Sequence, residues 1–247
     1  MNVLPQATAA DVAHSSPRVA VLPVGSFEQH GDHLPLSTDT LIATTITEQI
    51  CDRHGLLRLP PVTISCSHEH EDMPGLPGTV SISATTLTAV IDDVRRSLAR
   101  AGIDRLVLVN AHGGNYALAN LAQEANVAGP AVALFPGADD WRAARAEAGL
   151  ASSHSADMHG GELETSILLH VAPDAVRETY ARNDHDAPDR GHLTLLGMKA
   201  FTPNGIIGFP SEATAAKGAT ALDTLVDRFA HYLNALLAGT ASAPAHA

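Results

Sequence analysis

A chain of 247 residues, 45% of them hydrophobic, can bury a sizeable core as one large α/β domain or two small ones, which excludes wholesale disorder. Its formal charge of −12 excludes nucleic acid and an anionic membrane surface as main partners, because neither finds a basic stripe to bind. Cys51 and Cys66 suggest no disulfide framework, the start MNVLPQATAADVAHSS lacks a signal peptide's basic and apolar parts, and no apolar run reaches the roughly 18–20 residues of a membrane span, so a soluble cytoplasmic protein is expected.

Residues 1–16 carry little pattern and GTASAPAHA (239–247) is small and polar, so both are expected to be flexible tails around a single domain at 17–238. RVAVLPV (18–24), LLRLPPVTI (56–64), RLVLVN (105–110) and AVALF (131–135) are short apolar runs of the kind that form strands buried on both faces. DTLIATTITEQICDRHG (39–55) predicts a helix ending at Gly55. In ATTLTAVIDDVRRSLARAG, Leu87, Val90, Ile91, Val94 and Leu98 share one helical face that ends at Gly102. Further helices are predicted over 114–127, 161–171 and 220–237. This alternation predicts an α/β fold, a mostly parallel sheet with helices on both sides, and such sheets bind ligands beyond the carboxyl ends of their strands.

Polar clusters fall at those ends. The first predicted strand runs straight into GSFEQHGDHLPLSTDT (25–40), where Glu28, His30 and Asp39 offer two carboxylates and an imidazole. Mixed nitrogen and oxygen donors suit zinc, manganese or iron, and a metal offsets the cost of burying such groups. Helix capping by Thr38 or Asp39 and solvation of Asp32 and His33 are the blander account of the same residues. The strand at 105–110 runs into AHGGN (111–115), placing His112 beside paired glycines that allow close approach. In DMHGGELETS (157–166), Asp157 and His159 have the makings of an oriented general acid or base, Glu164 is a further carboxylate, and Glu162 suits a helix N-terminus. The loop CSHEHEDMPGLPGT (66–79) could ligate metal, but a Pro- and Gly-rich loop over a site is better placed to touch substrate. Ser67, Glu69 and His70 there, with Asn115, are the expected substrate contacts.

VLPVGSFEQHGDHLPLSTD, PGTVSIS, LVLVNAHGGN, DMHGGELETSILLHVAP and GFPSEATAAKG together resemble the creatininase family of metal-dependent amidohydrolases, over roughly residues 18–235. The resemblance implies a three-layer α/β/α fold, two divalent metals per subunit and a homo-oligomer, often a hexamer. By position Glu28, His30, Asp39 and His112 are similar to the family's metal ligands, with Asp39 as the bridge, and His159 to its catalytic histidine. Gly114 stands where creatininase carries a ligating glutamate, and Glu164 is the candidate replacement. Ser155 stands where a tryptophan is expected, and Trp141 is the one tryptophan of the chain. H-G-G-N and E-T-S-I-L-L-H are more like the branch that includes the peptidase of mycofactocin maturation. The expected function is hydrolysis of an amide-type C–N bond, in a small-molecule amide or short peptide, by a metal-activated water. The alternatives are a peptidase trimming a small ribosomal peptide, or a metal-binding relative without catalysis.

Overall fold

The computed structural model describes residues 4–238. Four parallel strands, β1 (Val19–Val24), β2 (Leu57–Arg58), β3 (Arg105–Asn110) and β4 (Val132–Phe135), form one sheet in the order β2-β1-β3-β4. Because side chains alternate across a strand, β1 and β3 feed two cores. Val19, Val21, Val107 and Val109 face α2 (Thr38–His54), α5 (Ala138–Glu147), α6 (Glu162–Val171) and α8 (Ala215–Ala238). Ala20, Leu22, Val24, Leu106 and Leu108 face α3 (Ala84–Arg100) and α4 (Ala117–Ala125). The result is the expected three-layer α/β/α arrangement.

Local chemistry explains the element ends. Gly55 closes α2 in the left-handed conformation (φ 65°), its N–H donating to the Cys51 carbonyl. Ser83 caps α3 by accepting from the Thr86 N–H, and Leu87 and Ile91 are the fully buried part of its apolar stripe, each contributing about 1.5–3 kcal/mol.

Several boundaries differ from the sequence reading. The second strand shrinks to two residues plus a single bridge from Val62 to Val24, because Pro60 and Pro61 lack the donors that would continue the ladder. A single-turn helix α7 (Leu193–Leu196) follows α6, and α8 begins at Ala215 rather than at 220. Its Gly218, a poor helix former, lies so close to α6 that a Cβ would meet the Ser166 carbonyl oxygen at 2.0 Å. Helix α5 was not foreseen; ADDWRAARAE has a weak apolar stripe and is held by Asp140, which accepts from the Gly137 N–H, Arg228 Nε and the Tyr232 hydroxyl. In the segment taken as an N-terminal tail, a seven-residue helix α1 (Ala9–Ser15) carries a capping box between Thr8 and Asp11, although none of its residues is buried. The tail expected at 239–247 lies outside the described residues.

Candidate metal centre

The carboxyl edge of the parallel sheet gathers the first two polar clusters. Gly25, at the end of β1, lets the first turn of α2 press in, since a Cβ there would meet Thr40 at 2.4 Å. That contact sets Asp39 beneath the loop bearing Glu28 and His30. β3 ends at Asn110, whose side-chain amide donates to the His112 carbonyl and so bends the chain to turn the imidazole inward. The third cluster arrives through a two-way pairing of His159 with Ile207. Glu28, His30, Asp39, His70, His112 and His159 are all buried.

Asp39 stands between two histidines. Its Oδ1 is 3.3 Å from His30 Nε2, and its Oδ2 is 3.4 Å from His112 Nδ1. Glu28 Oε1 lies 3.2 Å from His112 Nδ1, 3.4 Å from His70 Nε2 and 3.7 Å from His159 Nδ1. Glu164 Oε2 is on the other side, 3.8 Å from His30 Nε2, and accepts from the Gly160 N–H at 2.6 Å. The second nitrogen of each of three rings donates to a backbone carbonyl: His30 to Glu28 (3.0 Å), His112 to Cys66 (2.7 Å) and His159 to Gln29 (2.7 Å). Such outer partners fix the orientation of metal-ligating histidines.

Burial opposes charge on His30, but Asp39, Glu164 and Glu28 outweigh it and lift its pKa to about 9. Against the same opposition, Glu28, Asp39 and Glu69 lift His112 to about 10. Burial and the neighbouring Glu28 raise Asp39, whereas Glu28 overcomes burial through His70, His112 and His159 and stays well below the usual carboxylate range. Of these two adjoining acids, Glu28 therefore ionises first. Burial, with Asp39 adding and His30 opposing, brings Glu164 up to about 7. Burial pushes His70 down to about 4, and burial together with His30 and His70 pushes His159 well below the ordinary range.

These residues fit a divalent metal. Among the described residues, Glu28 Oε1, His30 Nε2 and Asp39 Oδ2 are buried without a hydrogen-bond partner, an expensive state that a cation relieves. Three sets of ligand atoms lie within 4.8 Å of one another: Glu28, Asp39 and His112; His30, His159 and Glu164; Glu28, His70 and His159.

The remaining expected residues divide. Glu69 and His70 line the cavity over the centre together with Glu28, Asp39, His112, His159 and Glu164. Ser67 is fully buried behind it, its hydroxyl against that of Ser26, which donates to Glu28 Oε2. Asn115 is buried too: its amide donates to Asn110 Oδ1 and accepts from the Cys66 N–H, so it ties two loops together. Asp157 does not orient His159. Its carboxylate accepts from the Glu162 and Leu163 N–H groups, which open α6 without intrahelical partners, and pairs with Arg145 at 2.9 Å. His33, which solvation would have explained, is buried and bonded to the Gly160 carbonyl and to Asn183. Sequence reasoning gave no role to Gln29, whose buried amide contacts Gly31, Gly205 and His70; its one signal is a polar residue lodged between two ligand candidates.

The space over Gly114 is filled by Glu69, not Glu164. A Cβ at Gly114 would lie 2.2 Å from Glu69 Oε1, 2.4 Å from His112 Nε2 and 2.7 Å from the Cys66 carbonyl oxygen. Gly114→Ala is therefore expected to break the His112–Cys66 bond, to cost about 1–3 kcal/mol of stability and to weaken metal binding at least about tenfold. Thermal unfolding and a zinc titration check this; unchanged affinity would show that the outer bond to His112 is dispensable.

Comparison with known proteins places this architecture. The family model described as creatininase, creatinine amidohydrolase, matches residues 5–233. The mycofactocin precursor peptide peptidase of Mycolicibacterium smegmatis is 37% identical over 215 residues, covering 83% of this chain and 80% of that protein. A creatininase structure described as the Mn form superposes with a TM-score of 0.75 at 28% identity, over 91% of this chain and 93% of that one. A creatininase variant described as Zn–Zn type gives 0.74 at 27% identity, over 90% and 92%. The fold and these matches define an amidohydrolase of the three-layer α/β/α kind. The chain belongs to the creatininase family.

Proposed function

We propose that the amide C–N bond this amidohydrolase cleaves lies in a short peptide. The observation that carries the reading is a run of three adjoining cavities. The central one, 140 Å³, holds the ligand candidates. On one side it shares His112, Gly113, Met158, His159 and Glu164 with a 190 Å³ cavity walled by Ile42, Trp141, Leu163 and Ile167. On the other it shares Glu69, Gly114, Tyr116 and Leu193 with a 500 Å³ groove that continues to Lys199. An extended chain can thus cross the centre with residues on both sides of the cleaved bond, which a small ring does not require. The mycofactocin precursor peptide peptidase likeness supports the same substrate class.

In this reading Glu28, His30, Asp39, His112 and Glu164 hold divalent metal, two ions per subunit, with zinc, manganese and iron as the candidates. A bound divalent ion supplies Lewis acidity and lowers the pKa of a coordinated water. The chain's own work is to bury the centre, to hold the ligand rings against backbone carbonyls, and to move a proton at His159. His159 Nδ1 faces the cavity with its lone pair, because Nε2–H is engaged by the Gln29 carbonyl, so it can take a proton from water and return it to the leaving nitrogen. Glu69 and His70 border the path of the substrate. Among the described residues no helix is long and apolar enough to cross a membrane. A cytoplasmic location, supported by the unpaired Cys51 and Cys66, belongs to this proposal, as do the boundaries 17–238 and a homo-oligomer.

The test offers the zinc- or manganese-loaded protein short peptides, dipeptide amides and creatinine, and follows the products by mass spectrometry. Release of a terminal fragment from peptides is the expected result. Turnover of creatinine or simple amides with peptides left intact would reverse the substrate assignment.

A further inference from the structure

The Gln29 side chain is buried and its amide is held by two backbone groups. The Gly31 N–H donates to Oε1 at 3.0 Å, and Nε2 donates to the Gly205 carbonyl at 3.1 Å. Reversing the amide would set oxygen against oxygen at Gly205 and N–H against N–H at Gly31, so its orientation is fixed. Gly205 (φ +81°) makes room for it; a Cβ there would lie 1.9 Å from Oε1. The second proton of Gln29 Nε2 faces His70 Nδ1 at 3.0 Å. That nitrogen must therefore accept, and the ring carries its proton on Nε2. His70 Nε2 is the atom 3.4 Å from Glu28 Oε1.

The backbone carbonyl of Gln29 has the opposite effect on His159. His159 Nε2 lies 2.7 Å from that oxygen, a contact that requires a proton on Nε2 and leaves the Nδ1 lone pair facing Glu28 Oε1. Gln29 Nε2 is also 3.4 Å from His159 Nε2, but both of its protons are engaged and the shorter contact decides. His30 and His112 follow His159 when a metal is bound, each donating its outer N–H to a carbonyl and turning its other nitrogen inward.

We infer that Gln29 is a positioning residue that sets two ring protons in opposite senses, so that His159 presents a lone pair and His70 an N–H to the same oxygen of Glu28. His70 thus turns an N–H toward the centre, 3.4 Å from Glu28 Oε1 and short of a hydrogen bond, and is not a metal ligand, although it groups within 4.8 Å of ligand atoms of Glu28 and His159. This deepens the hydrolytic reading by naming the N–H that faces the Glu28 carboxylate, and rests on that reading for its effect on turnover alone.

Long-range proton–nitrogen correlation spectra of the zinc-loaded full-length protein, labelled with nitrogen-15 in histidine, read each tautomer directly; His70→Gln identifies the His70 signals. The expected spectrum shows His70 neutral, protonated on Nε2 and free of zinc, and Gln29→Met shifts His70 toward a mixture while His30 and His112 keep their pattern. A His70 ring protonated on Nδ1, or bound to zinc through Nε2, overturns the inference. Zinc content gives a second measure: it stays at the unmodified level in His70→Gln and His70→Leu, and loss of zinc in both overturns the donor role. With a cleaved peptide in hand, kcat falls about 10–100-fold in His70→Leu at unchanged zinc and recovers in part in His70→Gln, which keeps an amide donor. Spectrum and zinc content are read without turnover, so a failure to hydrolyse any amide would count against the substrate reading while the tautomers still decide this one.

Discussion

Asp39→Ala is expected to strip the centre of metal and to abolish hydrolysis, a larger loss than the roughly 10–100-fold that removal of an outer partner costs. Asp39 offers one oxygen toward His30 and the other toward His112, so its loss opens both halves of the centre together. A second effect shows in chelator-treated protein. The raised pKa values of His30 and His112 mean that their protonation stabilises the fold fully below about pH 6.5, and that this contribution is lost as pH rises through about 9 and about 10. Without Asp39 both rings lose a counter-charge, Glu164 and Glu28 being left to hold His30, and Glu28 and Glu69 to hold His112. Breaking a buried pair in this way costs about 3–5 kcal/mol when the remaining charge cannot relax, and less here because the rings can shed their protons. Metal bound per chain by elemental analysis, and thermal unfolding between pH 6 and pH 10 with and without chelator, check both halves of this expectation. Undiminished metal in Asp39→Ala would remove it from the ligand set.

His159→Ala separates chemistry from binding. With the base gone, kcat is expected to fall about 10²–10⁴-fold while metal content stays at the unmodified level. His159 also lies within ligand distance of His30 and Glu164, so loss of metal in this variant would reassign it as a ligand. Full turnover would sink the acid–base role outright. Peptide cleavage rate and elemental analysis on the same preparation distinguish the three results.

The sheet edge was legible because each strand passes directly into its polar residues: Val24 into the segment bearing Glu28 and His30, Asn110 into His112. Buried carboxylates and imidazoles placed there have few explanations, and a parallel sheet tells which end they share. Less was legible where a residue's partner lies far along the chain. Asp157 reads as a partner for His159 two positions on, yet the opening N–H groups of α6 and the Arg145 guanidinium claim it. Asn115 reads as a substrate contact, but bonds to Asn110 and Cys66 bury its amide. His70 reads as a substrate contact on a loop; its ring is buried, and its Nδ1 is met by the Gln29 amide, 41 positions away. Pro60 and Pro61 shorten β2 although the apolar run around them has the composition of a longer strand.

The loop-borne carboxylate over Gly114 divides the centre into a chassis and a fitting. Glu28, His30, Asp39 and His112 hang from the sheet edge and the first turn of a buried helix, so changing any of them strains the whole fold. Glu69 reaches the same chamber from a short 3-10 turn at His68–His70, at the head of a segment rich in glycine and proline. A carboxylate mounted there can be exchanged, or its segment lengthened or cut, while the strands stay as they are. If Glu69 meets the substrate as proposed, its charge is the part to swap when redirecting this protein toward a different amide.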